Sequence, residues 1–235
     1  HRNPAWAPPA IVRRDKPTTA PMFEMTKHEA KKRVLVVEDN PEIRHYIVGI
    51  LGADYQVDEA ENGVVGLEMM MANDFDLVVT DLMMPEMDGM EMCRQLKTSI
   101  ETSHIPIIML TAKSDVENLI EGVSIGADDY ITKPFHPQHL TIRVAKLIEL
   151  RELLKERYGK KILMGEMHKP DTKADSPDEL FLKKTITLVF DKLMDPELNG
   201  DMLAAQLGIS RMGLYRKIKA LTGQTTSEFI RQIRL

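Results

Sequence analysis

The side chains best suited to chemistry stand at or just after the ends of short apolar runs. They are Glu38 and Asp39 after Val34–Val37, Asp81 after Leu77–Thr80, Thr111 after Ile107–Leu110 and Lys133 after Tyr130–Thr132. Clustered carboxylates repel one another, so three of them together would be costly without a cation. Hard oxygen ligands with room for water suit Mg²⁺. Such an ion would leave one carboxylate free to attack phosphorus, while Lys133 and the Thr111 hydroxyl would stabilise the developing charge.

Each of these features also has an ordinary structural explanation. An acidic pair after a strand can simply decorate a helix N-terminus, a Thr often ends a strand, and Lys-Pro is a common loop. Their occurrence together, in chain order and at the ends of predicted strands, favours one shared polar site.

Short apolar runs alternate with amphipathic runs from Arg33 to about residue 158. This alternation predicts an α/β domain with a five-stranded, doubly wound parallel sheet. Ligands bind outside the carboxyl ends of strands in such a sheet, which is where the polar side chains would meet. The predicted strands are Val34–Val37, Tyr55–Glu59, Leu77–Thr80, Ile107–Leu110 and Tyr130–Thr132, and the predicted helices are Pro41–Gly52, Val64–Ala72, Met90–Thr98, Val116–Ile125 and His139 to about Tyr158.

The C-terminal part of the sequence is predicted to be all helical. The predicted helices are Glu179–Leu193, Met202–Leu207, Arg211–Leu221 and a run from Thr226 onward. Gly208 between two short helices, with Ser210 as an N-cap, is typical of a helix-turn-helix. Arg211, Met212, Tyr215 and Arg216 lie on the predicted helix Arg211–Leu221, on the side away from its apolar residues. These residues could contact bases and phosphates in the major groove of DNA, or form only a solvated basic face.

Composition restricts the class of protein. The chain has 235 residues with 43% hydrophobic and 29% charged residues, which is ordinary for a soluble globular protein. Its apolar runs are too short to span a bilayer, and a single cysteine, Cys93, fits a reducing cytosol. Residues 31–150 carry 10 basic and 21 acidic side chains, whereas residues 180–235 carry 9 basic and 5 acidic ones. An acidic module followed by a basic one is typical of a regulator joined to a nucleic-acid-binding domain.

Proline and glycine divide the chain into segments. We interpret residues 1–30 as a Pro-rich linker, 31–157 as the α/β domain, 158–178 as a second linker and 179–235 as the helical segment. Because the chain starts at His1 and stops inside an apolar periodic run, we expect it to be a piece of a longer protein.

Residues 33–150 resemble the receiver domains of bacterial response regulators, which have a flavodoxin-like fold. The matching segments are Val-Val-Glu38-Asp39-Asn40, Thr-Asp81-Leu-Met-Met84-Pro85-x-Met-Asp88-Gly89, Leu-Thr111-Ala112 and Gly-Ala-Asp-Asp-Tyr130-Ile-Thr-Lys133-Pro134-Phe135.

The resemblance implies specific roles for these residues. Asp81 would take a phosphoryl group from a phosphohistidine on a histidine kinase. Mg²⁺ would be held by Asp39, Asp81 and the backbone carbonyl of Met83, with Glu38 acting through water. The phosphoryl-binding and switch residues would be Thr111, Ala112, Lys133 and Tyr130. Thr111 would move toward the phosphoryl group, Tyr130 would turn inward, and the Lys133–Pro134 bond would be cis.

An enzyme is the alternative for this site. Some phosphatases also use an Asp nucleophile at a strand end, followed two residues later by a second Asp that acts as general acid. The corresponding residue here is Met83, which cannot donate a proton. The sequence therefore predicts a phosphoacceptor with slow self-dephosphorylation rather than a turnover enzyme.

The C-terminal segment resembles the first helix-turn-helix of AraC-type transcriptional regulators. The matching stretch is Ser210-Arg-x-x-Leu-Tyr-Arg-Lys-x-Lys-x-Leu-Thr-Gly223. That family has two such motifs, so we expect weak specific DNA binding by this segment alone.

The order of the two domains resembles the C-terminal part of hybrid two-component sensors, in which the kinase shares the polypeptide. A free response regulator is the alternative architecture. For the output, the alternative is a phosphorelay or interaction module whose helical segment dimerises or binds protein. A cytoplasmic location is expected, with no membrane contact by this segment, and homodimer formation is left open.

Overall fold

The computed structural model describes residues 31–112, 126–168 and 175–234 of the chain. Its centre is a five-stranded parallel sheet with the strand order β2-β1-β3-β4-β5. The order confirms the predicted doubly wound sheet, because the chain winds outward from β1 on both sides. The strands are β1 Arg33–Val37, β2 Gln56–Ala60, β3 Leu77–Asp81, β4 Ile107–Ala112 and β5 Asp129–Lys133.

Helices cover both faces of this sheet. They are α1 Pro41–Leu51, α2 Gly63–Ala72, α3 Gly89–Thr98 and α4 Pro137–Leu163. The predicted helix Val116–Ile125 falls outside the described residues. One apolar core packs α2 and α3 against the sheet through Met70, Met92 and Leu96. A second core lies on the opposite face, where Ile47 of α1 and Val144 of α4 pack against the strands.

Each of the first three helices begins with a side-chain cap directly after a strand or its loop. Asn40 Oδ1 accepts from the Glu42 and Ile43 amides, Asn62 Oδ1 from the Val65 amide at 2.9 Å, and Asp88 Oδ1 from the Glu91 amide at 2.7 Å. These bonds satisfy amides that have no partner within the helix. They fix the turns at the carboxyl edge of the sheet, which is where the predicted site lies.

Helix α4 is longer than the sequence predicted, and it crosses the predicted domain boundary at residue 158. Tyr158 and Ile162 are buried in the core of the C-terminal helices, which keeps this part of the chain helical. Gly159 lies where the end of another helix approaches, because a Cβ built there would be 3.5 Å from the Thr222 carbonyl oxygen. The predicted linker therefore begins as helix and contributes to packing.

The C-terminal part is helical in its described residues. A short 3₁₀ helix at Glu166–His168 precedes α5 Pro177–Asp191, α6 Gly200–Leu207, α7 Arg211–Thr222 and α8 Thr226–Arg234. Gly208 has a φ of 70° and ends α6, while Ser210 Oγ caps α7 through the Gly213 amide at 2.9 Å. These helices share a third apolar core with the end of α4. Of the helices in residues 31–112, 126–168 and 175–234, none is long and apolar enough to cross a membrane.

Candidate functional site

The three carboxylates predicted to form a site do lie together at the carboxyl edge of the sheet. Glu38 and Asp39 follow β1, and Asp81 ends β3, which pairs with β1 in the sheet. One carboxylate oxygen from each of the three lies within 4.8 Å of the others. Glu38 is buried, Asp39 is exposed and Asp81 is between the two.

Lys133 joins this cluster from the end of β5. Its Nζ lies 2.7 Å from Oε2 of Glu38 and 2.9 Å from Oδ1 of Asp81. Burial by itself would lower the pKa of Lys133, but hydrogen bonds to Glu38 and Asp81 outweigh it, and the pKa is raised. The lysine is therefore a fixed positive charge between two carboxylates. Its peptide bond to Pro134 is cis, as the resemblance implied.

Glu38 is held in a different environment from its neighbour Asp39. Only 1% of Glu38 is exposed, and burial raises the pKa of its carboxyl, although the bond from Lys133 opposes that shift. The second oxygen, Oε1, accepts a long bond from the Asn40 amide at 3.4 Å. Arg44 Nη1 donates to the Glu38 backbone carbonyl at 2.7 Å. Both carboxylate oxygens of Glu38 thus accept hydrogen bonds from the protein, from Lys133 and from the Asn40 amide.

The loop after Asp81 is held close to the site. Oδ1 of Asp81 accepts from the Leu82 amide at 2.9 Å, which orients the carboxylate. The Gly89 amide donates to the Leu82 carbonyl at 2.9 Å, and a Cβ on Gly89 would lie 2.1 Å from the Asp81 carbonyl oxygen. Only glycine allows this approach without movement of the backbone. The loop also contains Met83, whose side chain is exposed.

Two hydroxyl groups behind the site have no hydrogen-bond partner among the residues that the structure describes. They are Oγ1 of Thr111, which is fully buried at the end of β4, and the phenolic oxygen of Tyr130 in β5. Tyr130 packs partly against the core formed by α2 and α3, so its hydroxyl already points into the protein. Ala112, next to Thr111, is exposed. A buried polar atom without a partner calls for an explanation, such as an ordered water or a bound group.

The donor set fits a hard divalent cation. Carboxylate oxygens are the side-chain ligands that Mg²⁺ takes, and the exposed Asp39 leaves room for water. Of the three carboxylates, Asp39 is exposed, whereas Glu38 and Asp81 each have an oxygen within 2.9 Å of Lys133 Nζ. The residues present are therefore compatible with the predicted ion.

The four predicted DNA-contacting residues do not share one exposed face. Arg211 is 77% exposed with an exposed partner, Asp201, at 3.2 Å, and Met212 is also exposed. Tyr215 accepts a bond from Lys219 Nζ at 3.1 Å. The side chain of Arg216 is only 19% exposed and contacts the α/β domain, which the sequence did not predict.

Sequence reasoning missed several residues that shape the site. They are Arg44, which holds the Glu38 carbonyl, and the glycines Gly63 and Gly89, on which a Cβ would meet Met87 and Asp81 backbone atoms at 2.5 and 2.1 Å. Gly89 carried a visible signal, since it follows the helix-capping residue Asp88 inside one of the matching motifs. Arg44 carried none, because a basic residue in a helix is usually solvated.

Comparison with known proteins identifies the α/β domain. Residues 34–145 match the family model described as the response regulator receiver domain. The matched range contains all three carboxylates, Thr111, Tyr130 and Lys133.

Individual relatives show the same relationship. The chain is 37% identical over 214 residues to Histidine kinase P4 of Formosa agariphila, an alignment that covers 90% of this chain and 15% of that protein. It is 43% identical over 117 residues to the transcriptional regulatory protein ResD of Bacillus subtilis, covering 49% of this chain and 48% of that protein. The chain is also similar to a solved receiver domain protein from Clostridium thermocellum, with 32% sequence identity and a TM-score of 0.49. That match covers 52% of this chain and 98% of the other. The chain thus spans about half or less of the length of these two curated relatives.

Proposed function

Residues 34–145 are a response regulator receiver domain of two-component signalling, and from this premise we propose that Asp81 is the phosphoacceptor of the chain. The observation that carries the proposal is that the Asp81 carboxylate lies 2.9 Å from the Lys133 ammonium and within 4.8 Å of a carboxylate oxygen of Asp39. A carboxylate beside a fixed cation and a metal-binding oxygen can act as a nucleophile toward phosphorus, because the charge on the phosphoryl oxygens is balanced.

The proposed step is transfer from a phosphohistidine of a histidine kinase. An oxygen of Asp81 forms a bond to phosphorus while the bond from phosphorus to the imidazole nitrogen breaks; the imidazole leaves with the bonding electron pair and is neutral because its other nitrogen carries a proton. Lys133 stays within 2.9 Å of Asp81 and offers a positive charge to the transferred oxygens. The product is an aspartyl phosphate, which water hydrolyses slowly because the site offers no general acid two residues after Asp81.

Mg²⁺ is the cofactor that the site suits. Asp39, Asp81 and the backbone carbonyl of Met83 would hold it, and Glu38 would act through water. When bound, the ion neutralises the carboxylates and the phosphoryl oxygens. The other roles belong to residues of the chain. The Leu82 amide orients the Asp81 carboxylate, and Lys133 neutralises the charge of Glu38.

Thr111 and Ala112 are the proposed phosphoryl-contacting residues of β4. The Thr111 hydroxyl is buried without a partner among the described residues, so a phosphoryl oxygen would give it one. Ala112 is small and exposed, which leaves the site open to a kinase. Tyr130 is the proposed switch residue. Its hydroxyl already points inward, so we expect phosphorylation to stabilise this orientation rather than to create it.

We propose that the helical segment is a DNA-binding output, with α6 and α7 as a helix-turn-helix of the AraC type. Two observations support this: the short turn between the helices at Gly208, and the exposed Arg211 and Met212 at the start of α7. A relative named as a histidine kinase aligns with 90% of the chain, which favours a hybrid sensor in which the kinase lies in the same polypeptide. A relative named as a transcriptional regulator favours transcription as the output.

An interaction module is the second candidate for the helical segment. The observation that favours it is Arg216, which binds protein in this structure instead of facing solvent. The two candidates differ in one property, because only a DNA-binding segment should bind a duplex with an affinity that falls steeply with salt.

The phosphoacceptor is tested by incubating the protein with Mg²⁺ and acetyl phosphate and measuring its mass. We expect a gain of one phosphoryl group that Asp81→Asn abolishes. Asp54→Asn is the matched control, because Asp54 is an exposed aspartate outside the site. Unchanged labelling of Asp81→Asn would show that another residue is the acceptor.

A further inference from the structure

Arg216 of α7 is bound by the receiver domain at the end of α2. Its Nη1 and Nη2 donate to the carbonyls of Met71 and Ala72, each at 2.7 Å, and its Nε lies 2.8 Å from Oδ1 of Asp74. The last turn of α2 contains no basic residue of its own. Carbonyls at the end of a helix lack partners within the helix and attract cations. Arg216 thus supplies both the hydrogen bonds and the charge that the end of α2 lacks.

Glu101 makes the second contact, from the loop between α3 and β4. Its Oε1 accepts from the Ser210 amide at 2.8 Å, so a carboxylate of the receiver lies at the N-terminus of α7. Gly213 allows this approach, because a Cβ there would lie 2.1 Å from Cδ of Glu101. An anion is favoured at this position by the free amides of the first turn.

Lys217 makes a third contact, in addition to those of Arg216 and Glu101. Its Nζ donates to Ser103 Oγ at 2.8 Å and lies 3.1 Å from Oδ1 of Asp178 in α5, and the residue is only 1% exposed. A lysine that is this deeply buried is held by its partners. Contacts in the first two turns of α7 therefore fix one side of this helix to the receiver.

The groups used in this contact are the groups that a helix uses to bind nucleic acid. Arginine side chains and helix N-termini bind the phosphate oxygens of DNA. Here the same donors bind carboxylate and carbonyl oxygens of the receiver. We propose that the receiver surface formed by Met71, Ala72, Asp74 and Glu101 stands in for a nucleic-acid backbone, so that α7 binds either the receiver or DNA. The proposal rests on the proposed DNA-binding output.

The contacts of Arg216 and Glu101 would make the receiver and DNA compete for α7. The guanidinium of Arg216 already directs three nitrogens at oxygens of the receiver, and the Glu101 carboxylate would repel a phosphate approaching the start of α7. A change that weakens docking raises the undocked fraction, so the apparent affinity for DNA rises with that fraction, and DNA must in turn weaken docking.

The main test changes the receiver alone, so that α7 keeps its own residues, and one further variant changes α7 itself. The double variant Asp74→Asn/Glu101→Gln replaces the two receiver carboxylates that contact Arg216 and Ser210. The double variant Asp54→Asn/Glu149→Gln is the matched control, since it changes the net charge equally at exposed positions elsewhere. Gly213→Ala is a second route, because its methyl group would displace Glu101 without removing a charge.

Two quantities are measured on each protein: amide hydrogen exchange in α7 and in residues 99–104, and affinity for a random-sequence 30-base-pair duplex at low salt. We expect Asp74→Asn/Glu101→Gln to speed exchange in both segments and to tighten duplex binding at least about fivefold beyond the control, the lower end of usual coupling energies. Saturating duplex should also speed exchange of residues 99–104 in the unaltered protein.

Other outcomes distinguish a failure of the proposed competition from a failure of the proposed DNA-binding output. If exchange is faster but the duplex affinity equals that of the control, DNA reaches α7 without release and the competition is wrong. Unchanged exchange in both altered proteins would mean that these contacts do not hold α7. If α7 is released and no variant binds the duplex, the DNA-binding output fails, and the competition with it.

Discussion

Nζ of Lys133 lies 2.9 Å from Oδ1 of Asp81, although the two residues belong to strands that are not neighbours in the sheet. The lysine reaches across the end of β4 and also binds Glu38. Its charge therefore compensates the nucleophile and the buried carboxylate together, which makes Lys133 the electrostatic centre of the site.

The first prediction concerns this lysine. Lys133→Ala should lower the rate of acetyl phosphate labelling at Asp81 by roughly 100-fold, the usual effect of removing one preorganised charge-stabilising donor. Lys133→Arg should recover part of the rate, because it restores charge with a different geometry. Labelling is followed by intact mass against time. An unchanged rate in Lys133→Ala would show that the lysine serves only to neutralise Glu38.

The second prediction concerns Mg²⁺. Asp39→Ala should weaken Mg²⁺ binding more than Glu38→Ala, because Asp39 is exposed beside Asp81 whereas Glu38 is buried and bound to Lys133. Titration of both variants with Mg²⁺, followed by calorimetry, gives the two dissociation constants. The reverse order would contradict the assignment of Asp39 as a direct ligand and Glu38 as a ligand through water.

The third prediction concerns the loop after β3. Gly89→Ala should destabilise the protein by about 1–3 kcal/mol, the usual cost of overpacking, because its Cβ would meet the Asp81 carbonyl oxygen. It should also slow labelling of Asp81. Gly49→Ala is the control, since Gly49 lies in α1 with nothing within 4 Å of its Cβ. That change should stabilise the protein by about 0.5–1 kcal/mol through helix propensity. Denaturant unfolding measures both.

The fold and the acidic cluster could be predicted from the sequence because both depend on local patterns in chain order. Each strand is a short apolar run, and each site residue follows one, so the parallel sheet brings them to one edge. Strand ends were predicted within two residues. The roles assigned to Asp81 and Lys133 came from motifs, and they remain predictions until phosphorylation is measured.

The contacts of α7 could not be predicted in this way. Arg216 and Met71 are 145 residues apart, and the acceptor is a backbone carbonyl that becomes available only because α2 ends there. The length of α4 was missed for a related reason. Its residues beyond Tyr158 remain helical because they pack on helices that come later in the chain, and their own sequence contains glycine and charges.

The fourth prediction concerns pH. Burial, with Lys217 and Arg151 nearby, lowers the pKa of His104 to about 3. Since this is below the ordinary value of about 6.5, the stability that comes from neutral His104 is complete above pH 6.5 and is lost as pH falls toward 3. The slope should reach about 1.4 kcal/mol per pH unit.

His104→Gln should therefore show a flatter dependence of unfolding free energy on pH between 6 and 4.5. Burial acts against ionisation of Asp178, but Lys217 and Arg151 outweigh it and lower its pKa, so this carboxylate loses its contribution only at more acid pH. Equal slopes in the two proteins would show that His104 is protonated without cost.

The last prediction separates the two arginines of α7. Arg211 is exposed and does not contact the receiver in the described structure, whereas Arg216 is bound to it. Arg211→Ala should reduce the slope of log affinity against log salt for a DNA duplex by about 0.9, the value for one phosphate contact.

Arg216→Ala removes a DNA contact and a docking contact together, so its net effect on affinity should be smaller. In the Asp74→Asn/Glu101→Gln background docking is weakened, although the Met71 and Ala72 carbonyls remain, and Arg216→Ala should then cost more, about 1–3 kcal/mol of binding free energy. Binding curves across a salt series give the change in slope for Arg211→Ala and the cost of Arg216→Ala in each background. If Arg216→Ala costs the same in both backgrounds, the arginine does not exchange between the receiver and DNA, because independent sites would then be additive.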